Sequence, residues 1–208
     1  MNYKTVKALA LSYTDRKDQE VINRMDDFLR VIEARINRRI RVGNQTKRAT
    51  LNTSSADQYI GLPADFGGMR DIQIQRVDPD TSVVSNAITP SYVSPEVMNQ
   101  NIFLGFDGPV YTIIAGQLQL FPVTDDSQVE IVYYATLPQL SAAIPDTWLS
   151  DLSPDVYVFG LCVEISGFVK DAQAGQIWDA RFEQELARIE NIDTVDRWSG
   201  AALQIKLG

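Results

Sequence analysis

The sequence contains no histidine. Histidine is the commonest general base, the usual partner of a serine or cysteine nucleophile, and the commonest metal ligand. Its absence confines any enzymatic chemistry to carboxylates. The sequence also lacks the glycine-rich patterns that bind nucleoside phosphates or dinucleotides, and it has no Cys-x-x-Cys pair. We therefore predict no catalytic centre, no cofactor and no metal ion.

Cysteine occurs once, as Cys162. A single cysteine excludes an internal disulfide and suits a reducing compartment. Cys162 stands among apolar residues of a predicted helix, so we interpret it as a small buried hydrophobe and not as a nucleophile. No positively charged leader with an apolar core opens the sequence, which predicts a protein that is not secreted. The longest apolar stretch stops at Glu164, far short of the ~20 residues of a membrane span, so no membrane association is predicted.

Five carboxylates are the candidate acids for a hydrolase. The adjacent pair Asp125 and Asp126 stands between two predicted strands, where acidic residues commonly form turns. Asp151 and Asp155 flank the start of a helix, and Glu164 lies alone on that apolar helix. A buried carboxylate is usually paired or placed at an interface. An acid-dependent hydrolase would need two of these groups in one cleft and is the least favoured function class.

Charge is unevenly distributed along this acidic chain. Residues 1–50 hold 12 Lys and Arg against 6 Asp and Glu, although the whole chain has a formal net charge of −8. The basic excess is concentrated in residues 35–48, RINRRIRVGNQTKR. This stretch can be a nucleic-acid patch, a salt-bridged contact with an acidic neighbour, or a solvated helix end. It contains no aromatic residue and the remainder is acidic, so DNA readout is the least favoured of the three.

Apolar residues at helical spacing predict long helices near both ends of the chain. The first spans about 18–41 with Asp15 or Asp18 near its cap, and a shorter helix over about 4–13 precedes it. The last spans about 173–193. The apolar stripe of the first helix is Ile22, Met25, Leu29, Ile32, Ile36 and Ile40, and that of the last is Trp178, Phe182, Leu186 and Ile189.

A third helix follows the sequence TWLSDLSPD, in which residues 147–152 indicate an irregular polar loop. Ser153 is the expected N-cap, Pro154 suits the first helical position, and Asp155 complements the helix dipole. The helix that follows has no wide polar face and should be enclosed by protein on most sides. Neighbouring helices or other subunits could supply that enclosure.

The composition of the middle of the chain indicates short strands. Runs at about 48–53, 70–76, 110–114, 117–121 and 128–135 are predicted to be strands, with a short helix at about 95–100. Ala115 and Gly116 form a two-residue hairpin turn. The final segment, GAALQIKLG, carries no charge apart from Lys206 and is typical of an extended arm that requires a partner.

These elements predict an α+β fold. N-terminal helices (1–46) and C-terminal helices (146–195) form a helical bundle that carries a central antiparallel β-rich insertion (47–145), and residues 196–208 form an extended C-terminal arm.

The order of several segments resembles the head-to-tail adaptor (connector) proteins of short-tailed bacteriophages. The segments are EARINRRIR, YIGLPADF, YTIIAGQLQLFP, VEIVYYATLPQLS, WLSDLSPDVYVFGLCVE and WDARFEQELARIENID. Among them, Tyr133-Tyr134 leading to Leu137-Pro138 and the helix start Pro154-Asp155-x-Tyr157 are the most specific. The resemblance covers about residues 5–205.

The resemblance implies a structural protein and not an enzyme. It implies a ring of subunits, commonly a dodecamer, beneath the portal protein at the capsid-tail junction of the virion, assembled in the host cytoplasm. The ring would continue the DNA channel without specific DNA binding and offer its lower face to a tail nozzle or tail fibres. We expect partner contacts at Arg35, Arg38, Arg39, Arg41, Leu203, Ile205 and Leu207. The alternative is a DNA-binding packaging factor that uses residues 35–48.

Overall fold

Helices lie at both ends of the chain and strands lie between them, which confirms the predicted α+β fold class. The computed structural model describes residues 1–54, 57–76, 87–100, 108–122 and 127–198. The chain forms two units, Met1–Asn44 with Leu137–Gly208, and Gln45–Thr136. The helices are α1 (Tyr3–Tyr13), α2 (Gln19–Arg39), α3 (Pro95–Gln100), α4 (Trp148–Leu152), α5 (Pro154–Phe168) and α6 (Ala172–Trp198). The strands are β1 (Thr46–Asn52), β2 (Tyr59–Gly61), β3 (Phe66–Arg76), β4 (Ser91–Tyr92), β5 (Val110–Ile114), β6 (Gln117–Phe121) and β7 (Ser127–Ala135).

Helix α5 is the centre of the helical unit. It packs against α1, α2, α4 and α6, and its side chains from Val156 to Ile165 are mostly buried. Gly160 permits this crowding, because a Cβ atom there would lie 2.7 Å from Ile32 Cγ2 and 3.1 Å from Phe182 Cε2. The predicted enclosure of this helix is confirmed. The neighbouring helices of the same chain supply it, so enclosure by other subunits is not required.

The entry into α5 differs from the predicted one. Residues 148–152 are a helix, α4, and not an irregular loop. Thr147 caps it in a capping box, accepting the Ser150 amide hydrogen while Ser150 Oγ accepts the Thr147 amide hydrogen. Ser153 occupies the N-cap position of α5, as predicted, but its side chain makes no cap hydrogen bond; the same residue also ends α4. Pro154 does occupy the first turn, as predicted.

Helix α2 lies within two residues of the predicted bounds at both ends. Its core stripe is confirmed at Met25, Leu29, Ile32 and Ile36, but Ile22 is 38% exposed and Val21 is buried in its place. Asp18 precedes the helix without a side-chain cap bond. On α6, Phe182, Leu186 and Ile189 are buried and Trp178 is partly buried, as the predicted stripe required.

The second unit contains two sheets, ordered β1-β7-β3 and β2-β6-β5-β4. Every strand pair is antiparallel except β4 with β5. The five predicted strands are found, while the short strands β2 and β4 were not predicted. The predicted hairpin turn is confirmed: Ala115 and Gly116 both have positive φ, at 50° and 76°, as a type I′ turn requires.

The paired tyrosines of β7 have separate structural roles. Alternate residues of β7 are buried, so Tyr133 points into the core and Tyr134 points to the other face of the sheet. Tyr133 Oη donates to Asp65 Oδ1 at 2.9 Å, and Lys47 Nζ lies 2.6 Å from Asp65 Oδ2. Burial, followed by the Asp65 carboxylate, raises the pKa of Tyr133 to about 12. This motif therefore stabilises the sheet.

Candidate partner-contact surface

Two of the four predicted contact arginines pair with helix α6 of their own chain. Arg35 Nη2 lies 2.7 Å from Asp179 Oδ1 and 2.5 Å from Glu183 Oε1. Arg39 Nη1 lies 2.7 Å from Glu183 Oε2, and its Nε lies 3.2 Å from Glu190 Oε1. We call these five residues the arginine ladder.

Helical spacing explains why the ladder forms. Arg35 and Arg39 are four residues apart on α2, and Asp179 and Glu183 are four residues apart on α6, so each pair lies on one helix face. The Arg35 guanidinium carbon also lies 4.8 Å from the centre of the Phe182 ring, where the cation is attracted to the ring face. The basic stretch is thus partly neutralised within the chain.

The other two arginines have different surroundings. Arg41 Nη1 donates to the carbonyl oxygens of Asn37 at 2.6 Å and Ile40 at 2.7 Å, so its charge complements the end of α2. Arg38 is exposed and forms no ion pair with the residues that the structure describes. Leu203, Ile205 and Leu207, the remaining predicted contact residues, lie outside the described residues. Residues 196–198, assigned above to the arm, are helical and end α6.

These surroundings predict effects of different size for substitutions at Arg35 and Arg38. Arg35→Ala should lower the free energy of unfolding by about 1–2 kcal/mol, because a partly buried arginine loses two carboxylates and a ring contact. Arg38→Ala should change it by less than about 0.5 kcal/mol. Urea denaturation of both variants measures the difference. Equal effects at the two positions would contradict the assignment.

Each of the candidate acids that the structure describes has different contacts. Asp151 Oδ1 lies 3.1 Å from the N-terminal amine of Met1. Glu164 is half-buried; burial raises its pKa, and the charge of Arg35 partly counteracts that rise. Asp155 lines a groove described below, and Asp125 and Asp126 lie outside the described residues. Among residues that are described, no group of three or more Cys, Asp or Glu is arranged to hold a metal ion.

Cys162 is a small buried residue, as predicted. It has no solvent exposure, and its Sγ lies 3.8 Å from the Ala10 carbonyl oxygen. Burial raises the pKa of its thiol to about 12, so the unreactive thiol form predominates at neutral pH.

A groove that no sequence pattern indicated lies beside the α4–α5 junction. We call it the junction groove; its volume is about 280 Å³, and α6 forms its other wall. Leu152 and Ile192 present apolar surface there, at 58% and 49% exposure. The charged side chains that line it are Asp155, Glu185, Asp193 and Arg188. A surface that combines exposed apolar side chains with a charged rim is typical of a protein contact site.

No helix among the described ranges is both long and apolar enough to cross a membrane.

The arginine ladder joins α2 to α6 within the chain, and the junction groove combines exposed apolar side chains with charged ones. The family model described as "SU10 adaptor protein" matches residues 1–205, and the chain belongs to this family. It is a family of phage head-tail adaptors and not an enzyme family, which confirms the resemblance found in the sequence. A comparison with curated proteins found no match.

Proposed function

We propose that copies of this chain form a ring that joins the portal protein to the tail at the capsid-tail junction of the virion. The ring continues the DNA channel and offers its lower face to a tail nozzle or tail fibres. The observation that carries the proposal is the family match over residues 1–205. The helical unit supports it, because each subunit encloses its own central helix and can fold before it assembles.

The proposed channel conducts DNA without binding it specifically. The chain has 27 acidic residues against 19 basic ones, and a negatively charged wall repels phosphate, which allows the duplex to slide. The arginine ladder adds support, because Arg35 and Arg39 are already paired with carboxylates. The basic stretch therefore has less charge available for DNA than its sequence suggests, which disfavours the packaging-factor alternative.

Portal-dependent assembly tests this function. We expect native mass spectrometry of the protein mixed with its portal to reveal a complex of one portal ring and a defined number of adaptor copies, commonly twelve. A filter-binding assay should detect only weak, salt-sensitive association of the isolated protein with duplex DNA. Failure to bind the portal, together with tight DNA binding, would contradict the proposal and favour the packaging factor.

A further inference from the structure

Arg38 lies on an exposed stripe of helix α2 that faces away from the buried core stripe of that helix. Val31, Ala34 and Arg38 follow one another at intervals of three and four residues, so they share one face of the helix. All three are exposed, and Val31 is 50% exposed despite being apolar. We call these three residues the α2 stripe. It combines an apolar patch with a cation that has no ion-pair partner in the described part of the chain.

The junction groove carries the opposite charge. Asp155, Glu185 and Asp193 outnumber Arg188 among its charged lining residues. Glu185 already lies 3.7 Å from Arg188, and Asp193 accepts a hydrogen bond from the Gly43 amide. Asp155 forms no ion pair with any residue in the described ranges. Its carboxylate is thus available to a cation from outside the chain.

We propose that the α2 stripe of one copy binds the junction groove of the next copy, with Val31 and Ala34 against Leu152 and Ile192, and Arg38 beside Asp155. This assigns the subunit contact within the ring and therefore rests on the proposed function. The apolar part of the stripe matches the apolar part of the groove. The cation at one end of the stripe matches the carboxylate at the rim of the groove, and within the described ranges neither has an ion-pair partner of its own.

A second copy of the chain is the favoured occupant of the junction groove. Its α2 stripe complements the groove, and the same contact can repeat from one subunit to the next. A helix face with apolar residues at positions i and i+3 can pack into an apolar groove of a partner. The stripe and the groove are different surfaces of one chain, so each subunit can give its stripe to one neighbour and its groove to another. Such a heterologous contact generates a ring when the rotation between subunits closes.

Charge reversal in the full-length protein, assembled on its portal, tests the proposal. Arg38→Asp and Asp155→Arg should each weaken subunit association by about tenfold or more, since each places like charges at the contact. The double variant restores an opposite pair and should recover assembly. Lys4→Asp, at an exposed position of α1, is the matched control and should assemble like the wild type. Normal assembly of both single variants would overturn the proposal.

Cross-linking keeps the test decisive if a reversed charge impairs folding. Protein carrying Arg38→Cys, mixed with protein carrying Asp155→Cys and assembled on the portal, should form disulfide-linked dimers of one chain of each kind under mild oxidation. The native Cys162 is buried and contributes little background. Lys4→Cys in place of Arg38→Cys should give no dimer. Equal dimer yields from the two mixtures would refute the contact.

The two proposals can fail separately. Wild-type protein that forms no ring on the portal would contradict the proposed function. The other outcome is that the wild type forms the ring, both charge-reversed variants form it too, and no specific cross-link appears. That outcome would leave the proposed function standing and reject this contact.

Discussion

Glu33→Gln is expected to stabilise the protein at pH 8 and to have little effect on stability near pH 4.5. Glu33 lies on α2 and is 4% exposed. Burial raises the pKa of its carboxyl to about 7, although the Leu140 amide hydrogen, donated to Glu33 Oε1 at 2.6 Å, partly offsets this rise. Glutamine resembles the protonated acid and keeps an oxygen acceptor for Leu140.

The sign of this effect follows from proton linkage. Below about pH 4.5, Glu33 is protonated in both the folded and the unfolded states. Between about pH 4.5 and pH 7 the unfolded chain loses the proton first, so stability falls as pH rises. Above that window, the free energy of unfolding of the wild type is reduced by an amount on the order of 3 kcal/mol. Glu33→Gln removes this reduction.

Thermal unfolding from pH 4.5 to pH 8.5 measures the effect. The Tm of Glu33→Gln should exceed that of the wild type by several degrees at pH 8, and the difference should shrink toward acid pH. The Tyr157 hydroxyl, on α5, interacts electrostatically with Glu33. Burial and, to a lesser extent, the Glu33 charge raise the pKa of this hydroxyl, so Tyr157 stays neutral in this range. Glu20→Gln, at an exposed position of α2, is the control. A difference independent of pH would contradict the interpretation.

Gly160→Ala is expected to lower the free energy of unfolding by up to about 2 kcal/mol. Alanine normally stabilises a helix relative to glycine by about 1 kcal/mol. At this position the added methyl group would lie 2.7 Å from Ile32 Cγ2, and overpacking of a core costs about 1–3 kcal/mol. Gly167 lies on the same helix, and beyond the adjacent residues and the nearby helix backbone a Cβ atom added there would have no neighbour within 4 Å, so Gly167→Ala should be neutral or stabilising.

A double-mutant cycle identifies the contact responsible. Ile32→Ala removes the crowding methyl group, so adding Gly160→Ala to that background should cost much less than it does in the wild type. Urea denaturation of the four proteins gives the coupling free energy. An unchanged cost in the Ile32→Ala background would show that the crowding arises elsewhere.

The sequence predicted those elements whose signal is local. Apolar residues at helical spacing predicted α2 and α6, and a short β-like run of residues predicted β7. The β5–β6 turn was predicted because Gly116, which tolerates positive φ, stands between two apolar-rich runs. Helix α4 was missed: its cap is Thr147, while the stronger Ser-Pro-Asp signal that begins six residues later drew the prediction to α5.

Contacts between segments that are distant in the sequence could not be predicted from such local patterns. The burial of Glu33 depends on the backbone at Leu140, more than a hundred residues away in the chain. The four arginines look alike in sequence, yet Arg35 and Arg39 face α6 while Arg38 does not. The junction groove exists only because α4 ends beside α6. Each of these features became visible only once the helices were packed.

We propose that self-sufficient helical units assemble into a ring on the portal protein. Electron microscopy of the purified portal complex tests it most directly. We predict a closed ring of this protein on one face of the portal, centred on the DNA channel, with an intact helical unit in every subunit. A portal that carries no such ring, while the protein remains monomeric beside it, would contradict the account.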